Sequence, residues 1–144
     1  MELIEPKSDR SLLDVRKELW HLHRQVGTLA TDVVRMRPSW RLAFRRTPIT
    51  TVEERLAGCF AYFMNLDADL NAHASPPSDL STAIRSAAQF QMHFGVRDSV
   101  RGLLGATNDA VGSLQNQLDF RLSLAVALFA AVISVAGVVF QIAE

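Results

Sequence analysis

The residues of this chain best suited to chemistry lie on a single stripe: Asp109, Gly112, Asn116, Asp119, Ser123, Ala127, Ala130, Ser134, Gly137 and Gln141. Nine steps take it from Asp109 to Gln141, a mean of about 3.6 residues each, so on a helix all ten positions share one face. The first half is acidic or amide and suits a hydrated cation. In the second half every member is small or polar, and Ser123, Ser134 and Gln141 supply its side-chain oxygens.

Other arrangements offer less. His21 and His23 are two apart on a helix and point to different faces, so they form no chelating pair. Asp69 and His73 have the better spacing of four, and an exposed helix-end pair is the expected outcome. Cys59 is expected as a small core residue rather than a reactive thiol. No HExxH, P-loop, GxSxG or paired-cysteine motif occurs, so no catalytic site and no enzyme is expected, and no tightly bound cofactor.

The elements that must position these residues read as helices. Leu12, Val15, Leu19, Leu22, Val26, Leu29, Val33 and Met36 alternate steps of three and four, the seam of a coiled coil. Ser11 and Asp14 have the spacing of an N-terminal capping box, and Pro38 marks the end, which predicts a helix over about 11–37. A second helix, about 51–72, opens at Thr51 and Glu54 and carries a seam at Val52, Leu56, Cys59, Phe63, Leu66 and Leu70. The segment Ser75-Pro76-Pro77-Ser78 predicts a reversal of the chain. Beyond it, Leu80, Ile84, Val96, Val100, Leu103, Val111, Leu114 and Leu118 predict a stalk helix over about 80–121, with a kink expected near Gly95.

The 144 residues carry 15 Lys+Arg and 15 Asp+Glu, for zero formal net charge. A strongly basic nucleic-acid binder is thereby disfavoured, and no nucleic-acid partner is expected. The average conceals a partition, because residues 122–143 are 22 positions without a charge, 18 of them apolar. As a helix this run spans roughly 33 Å, the thickness of a bilayer's hydrocarbon core. The expected organisation is a cytoplasmic helical and coiled-coil region, 1–121, and a transmembrane helix, 122–143. Arg97, Arg101 and Arg121 precede the run and only Glu144 follows it, which predicts a cytoplasmic N-terminal region at an inner or plasma membrane. With one residue after the run, the chain resembles a tail-anchored protein or the front part of a longer membrane protein. The fold class is therefore all-α: a helical hairpin packed on a long stalk helix that continues into one C-terminal transmembrane helix.

Arg35, Arg37, Arg41, Arg45 and Arg46, interleaved with Trp40 and Phe44, have the composition of a surface for RNA or anionic lipid. Helix lengths argue against lipid contact. A stalk of roughly 63 Å beside a second helix of about 32 Å leaves this loop about 30 Å above the membrane, solvated or touching another subunit.

Two readings of the polar stripe follow. Small residues let helices approach closely in lipid, so the face can be a contact between copies of the chain. Alternatively, several copies set this face around a central path, with Asp109, Asn116 and Asp119 gathering cations and Ser123, Ser134 and Gln141 lining the bore. Both require a homo-oligomer in a lipid bilayer.

Leu22-His23-Arg24-Gln25, Tyr62-Phe63 with Leu66, Asp67 and Asp69, and Arg97-Asp98 with Gly102-Leu103-Leu104, followed by Val135-Ala136-Gly137-Val138, resemble the C-terminal helical region of CorA-type divalent cation transporters, including the ZntB branch. The resemblance covers about two-thirds of the chain. It implies a homopentamer whose stalk helix continues into a pore-lining first transmembrane helix that passes Mg2+ or related ions. The family's Gly-Met-Asn signature is absent, with Phe140, Gln141 and Ile142 in its place. The family's N-terminal α/β domain and second transmembrane helix are also missing. The expected function is part of an oligomeric transport path for a divalent metal cation, Mg2+ or Zn2+/Co2+. The alternative is a tail-anchored oligomeric coiled-coil membrane protein with a scaffold or signalling role and no transport.

Overall fold

The computed structural model describes residues 10–73 and 80–143, with side chains described for 10–73 and 90–135. Four helices follow one another: α1 (Leu12–Arg35), α2 (Trp40–Phe44), α3 (Thr47–His73) and α4 (Leu80–Ala143). No strand occurs among the described residues, and the fold is all-α, with a hairpin of helices laid along one long helix. The turn expected at Ser75–Ser78 lies outside the described residues.

α1 begins where the cap predicts. The Ser11 hydroxyl accepts the Asp14 backbone N–H at 3.2 Å and donates to the Asp14 carboxylate at 2.6 Å. That hydrogen bond holds the exposed Asp14 carboxyl below its ordinary value. Val15, Leu19, Leu22, Val26, Leu29 and Val33 are all buried, while Met36 follows the helix as an extended C-cap packed on the core. The helix thus stops two residues short of the expected 37. Ser39 then caps a short helix, α2, that the sequence pattern did not predict; its hydroxyl accepts the Leu42 N–H at 3.2 Å.

α3 starts at Thr47, four residues earlier than expected. Pro48 falls in its first turn, where a missing N–H costs nothing, so the proline opens the helix instead of preceding it. Thr51 is accordingly interior, and its hydroxyl bonds to the Thr47 carbonyl at 3.0 Å rather than forming a capping box with Glu54. Ile49, Val52, Leu56, Phe63, Leu66 and Leu70 are buried, and Cys59 is half-buried against them.

α4 is unbroken for 64 residues, through Gly95 and into the apolar run. Its buried seam is Val96, Val100, Leu104, Thr107, Val111, Leu114 and Leu118. Leu104 takes the core position expected of Leu103, which is only partly buried. Thr107 fills the gap in the apolar pattern because its hydroxyl bonds to the Leu103 carbonyl at 2.7 Å, which satisfies its own polar group within the core. The side chains of Leu80 and Ile84 lie outside those described.

Polar pairs set the directions. Glu18 meets Tyr62 and Asp32 meets Arg55, so α1 and α3 run antiparallel. Asp67 meets Arg97 at 3.1 Å, Glu53 meets Gln115 and Arg46 meets Asp119, so α3 and α4 also run antiparallel. These pairs slide α3 toward the apolar end of α4 instead of starting it flush with Leu80. The loop between α1 and α3 therefore lies beside Asp119, three residues before the apolar run, and not about 30 Å away from it.

Fully burying leucines such as Leu19, Leu22, Leu66 and Leu104 contributes about 1.5–3 kcal/mol each. That core ends at Leu118. Only 6% of the most apolar 18-residue window of α4 is buried, and Phe129, Val132 and Val135 are each more than 60% exposed. The run is one helix long and apolar enough to cross a membrane, and it is not the core helix of the bundle.

Candidate functional site

The polar stripe lies on the side of α4 turned away from α1 and α3. Asp109, Asn116, Asp119, Ser123, Ala127, Ala130 and Ser134 are all exposed, while the seam residues on the opposite side are buried. Gly137 and Gln141 continue the stripe along the helix, and their side chains lie outside those described. The stripe also extends further up the stalk than the sequence reading took it. Gly105, Gly102, Asp98 and Gly95 precede Asp109 at the same alternating spacing, so every glycine of α4 from 95 to 112 falls on this face. A Cβ added at Gly95, Gly102, Gly105 or Gly112 would meet nothing within 4 Å.

α2 gives the stripe a wall. Trp40 faces Asp109, Gly112, Asn116, Phe120 and Leu124 across an open cleft of about 1030 Å³. Arg46, just after α2, forms an ion pair with Asp119; both groups remain half exposed. The structure thus brings Asp109 and Asn116 together beside an indole, and it ties Asp119 to a guanidinium. Neither Trp40 nor Arg46 was read as part of the site. Pro48 as a first-turn residue was the signal that could have found them, because it extends α3 toward the apolar end of α4.

Within the membrane-length segment, Ser134 donates its hydroxyl to the Ala130 carbonyl at 2.9 Å, which leaves its oxygen free only as an acceptor. Ser123 stands exposed at the start of the run. Among the described residues no three His, Cys, Asp or Glu side chains converge to hold a metal ion.

The other candidates resolve differently. Asp69 is buried, not an exposed helix-end residue. It pairs with Arg10 at 3.4 Å, Arg10 also meets Glu18 at 3.0 Å, and His73 Nε2 bonds to the Arg10 carbonyl oxygen at 2.6 Å. Tyr62 donates to Glu18 at 2.7 Å, and burial, reinforced by this bond, pushes its phenol up. This polar group ties the start of α1 to the end of α3. His21 bonds to Gln25 and His23 to Ser99, each alone, as their different faces require. Burial pushes the Cys59 thiol up, against the smaller opposing pull of Arg55, which leaves it poorly nucleophilic.

What the arrangement offers chemically is an uncovered line of carboxylate, amide and hydroxyl oxygens on one rigid helix, walled by an aromatic ring and flanked by arginines. Comparison with protein-family models, with curated proteins and with solved structures finds no match to this chain.

Proposed function

We propose that this chain is a membrane-anchored helical bundle that self-associates through the uncovered face of α4, and that copies of this face together line a path for a hydrated divalent cation. The continuity of α4 carries the reading: one helix bears the core seam on one side and the polar stripe on the other, and continues into the apolar run. Asp109 and Asn116 gather the cation at the bundle end of the path. Ser123, Ser134 and Gln141 meet it through its retained water, as suits Mg2+. The bundle lies on the cytoplasmic side, where Arg97, Arg101 and Arg121 hold it. A single chain does not complete such a site, so the path is a property of the assembly, a pentamer if the CorA-type resemblance extends to subunit number.

A second reading is favoured by the Arg46–Asp119 ion pair. It neutralises one of the stripe's two carboxylates from 109 onward and sets a guanidinium beside the path, which opposes a cation. On that reading the stripe serves helix packing alone, and the protein is an anchored scaffold without transport.

Reconstitution into liposomes with an ion-sensitive dye inside separates the two, using Asn116→Leu, Gln141→Leu and Ala127→Leu beside the parent. The transport reading expects Mg2+, Zn2+ or Co2+ flux that falls in Asn116→Leu and Gln141→Leu while cross-linked oligomers persist. Ala127→Leu, which adds bulk to the stripe inside the span, should reduce both. Oligomers without flux select the anchor, and a monomer without flux refutes both readings.

A further inference from the structure

The loop containing α2 is a cation-rich surface set at the level where α4 becomes apolar. Residues 33–52 hold five arginines and no acidic residue. Arg35, Arg37, Arg41 and Arg45 are exposed and make no ion pair among the described residues, whereas Arg46 is taken by Asp119. Trp40 and Phe44 are exposed between them, at 43% and 67%. Trp40, Arg41, Phe44 and Arg45 alone line a depression of about 500 Å³. The buried Ala43 and half-buried Leu42 seat α2 on the core, so these four side chains point outward from a supported turn.

Height along α4 decides what this surface meets. Trp40 shares its cleft with Arg121 and Leu124. Leu124 is the third residue of the apolar run, only about 3 Å along the axis from its first. Phe120, one turn before Leu124, is 69% exposed. A helix crossing a bilayer from residue 122 would hold the indole and the guanidinium groups among the headgroups. There, tryptophan's amphipathic ring is favoured and basic groups are drawn to anionic lipid.

We infer that the α2 loop is a lipid-recognition surface, in which Arg37, Arg41 and Arg45 bind the phosphates of anionic phospholipids while Trp40 and Phe44 insert at the interface beside the start of α4. The inference rests on the reading of residues 122–143 as a membrane span. The occupant follows from charge complementarity and from continuity with the apolar run. A nucleic acid would satisfy the arginines but leaves the position of Trp40 and Phe44 beside the span without a purpose.

The test uses the full chain carrying Trp20→Phe, which makes Trp40 the sole indole, reconstituted in vesicles of phosphatidylcholine alone or with an equal part of phosphatidylglycerol. Retention of the protein after alkaline carbonate extraction reports the span independently. The expected result is that phosphatidylglycerol shifts Trp40 emission to the blue and makes it quenchable by lipids spin-labelled near the headgroup. Arg41→Gln with Arg45→Gln should abolish that response, since each arginine strengthens attraction to an anionic surface about fivefold. About 1 M salt, which screens charges beyond roughly 3 Å, should abolish it too. Both arginines are exposed and make no ion pair among the described residues, so the variant keeps the fold, which circular dichroism checks. Retained protein whose Trp40 emission ignores phosphatidylglycerol overturns the lipid surface alone. Protein lost from the membrane overturns it together with the span. A Trp40 response to an added RNA oligonucleotide, with none to phosphatidylglycerol, assigns the surface to nucleic acid and overturns it as well.

Discussion

Replacing the stalk glycines by alanine should change stability in opposite directions in the single chain and in an assembly. Gly102, Gly105 and Gly112 sit inside α4 with no positive φ, and an added Cβ would meet nothing within 4 Å at any of them. In the isolated bundle each Gly→Ala change therefore removes unfolded-chain entropy without a steric cost and stabilises by about 0.5–1 kcal/mol. The sites share no partner, so the triple variant should gain about 1.5–3 kcal/mol. At about 4 °C per kcal/mol for a domain of this size, the melting midpoint should rise by about 6–12 °C. The assay is thermal unfolding by circular dichroism in mild detergent, at dilutions where the chain is monomeric. In bilayers the proposed assembly through the stripe would set the same three methyl groups between helices that approach closely, and cross-linking should show weaker association than in the parent. A triple variant that melts at or below the parent temperature as a monomer refutes the open environment assigned to these glycines. One that melts higher yet associates as strongly as the parent refutes assembly through this face.

Two further outcomes follow from the bundle. Arg10→Met should cost about 1–3 kcal/mol in chemical denaturation because it leaves Asp69 buried without its cation, and adding Asp69→Leu should recover much of that loss. His93 has its pKa lowered from the ordinary 6.5, first by burial and then by the nearby Arg16 charge. The folded state then takes up its proton less readily than the unfolded chain. Its contribution is present in full above pH 6.5 and is lost as pH falls below that value. Thermal midpoints should decline from pH 7.5 to 5.5, and His93→Gln should reduce that decline.

Periodicity made much of this architecture legible. The seam of α1 is buried at each of the six positions from Val15 to Val33, and Ser11 caps it as expected. What periodicity does not carry is the slide of one helix along another. It says which residues face inward but not which turn of α4 each turn of α3 meets, and a shift of several turns preserves every inward face. That slide is set by Asp67 with Arg97, Glu53 with Gln115 and Arg46 with Asp119, pairs separated by up to 73 positions in the chain. The height of the arginine-rich loop was misplaced for this reason, and with it Trp40 and Arg46. The buried Asp69 was unreadable for a related one, since its partner Arg10 is 59 positions away. Thr107 is absent from the predicted stalk seam, yet the bond of its hydroxyl to its own helix lets it serve as a core residue.

The point where the core ends constrains both functional readings. Among the described residues no helix covers α4 beyond Leu124, and its backbone groups are satisfied within the helix, so lipid or other copies of the chain can surround it. Lipid tails are as apolar as Leu128 or Phe129, which leaves the large residues with no preference for a protein neighbour. Close approach is favoured instead on the side carrying Ser123, Ala127, Ala130 and Ser134. One level higher the same side carries Trp40 and the Arg46–Asp119 pair, so a neighbouring copy must pack around them there, whereas Gly102 and Gly105 leave the face open again further along the stalk.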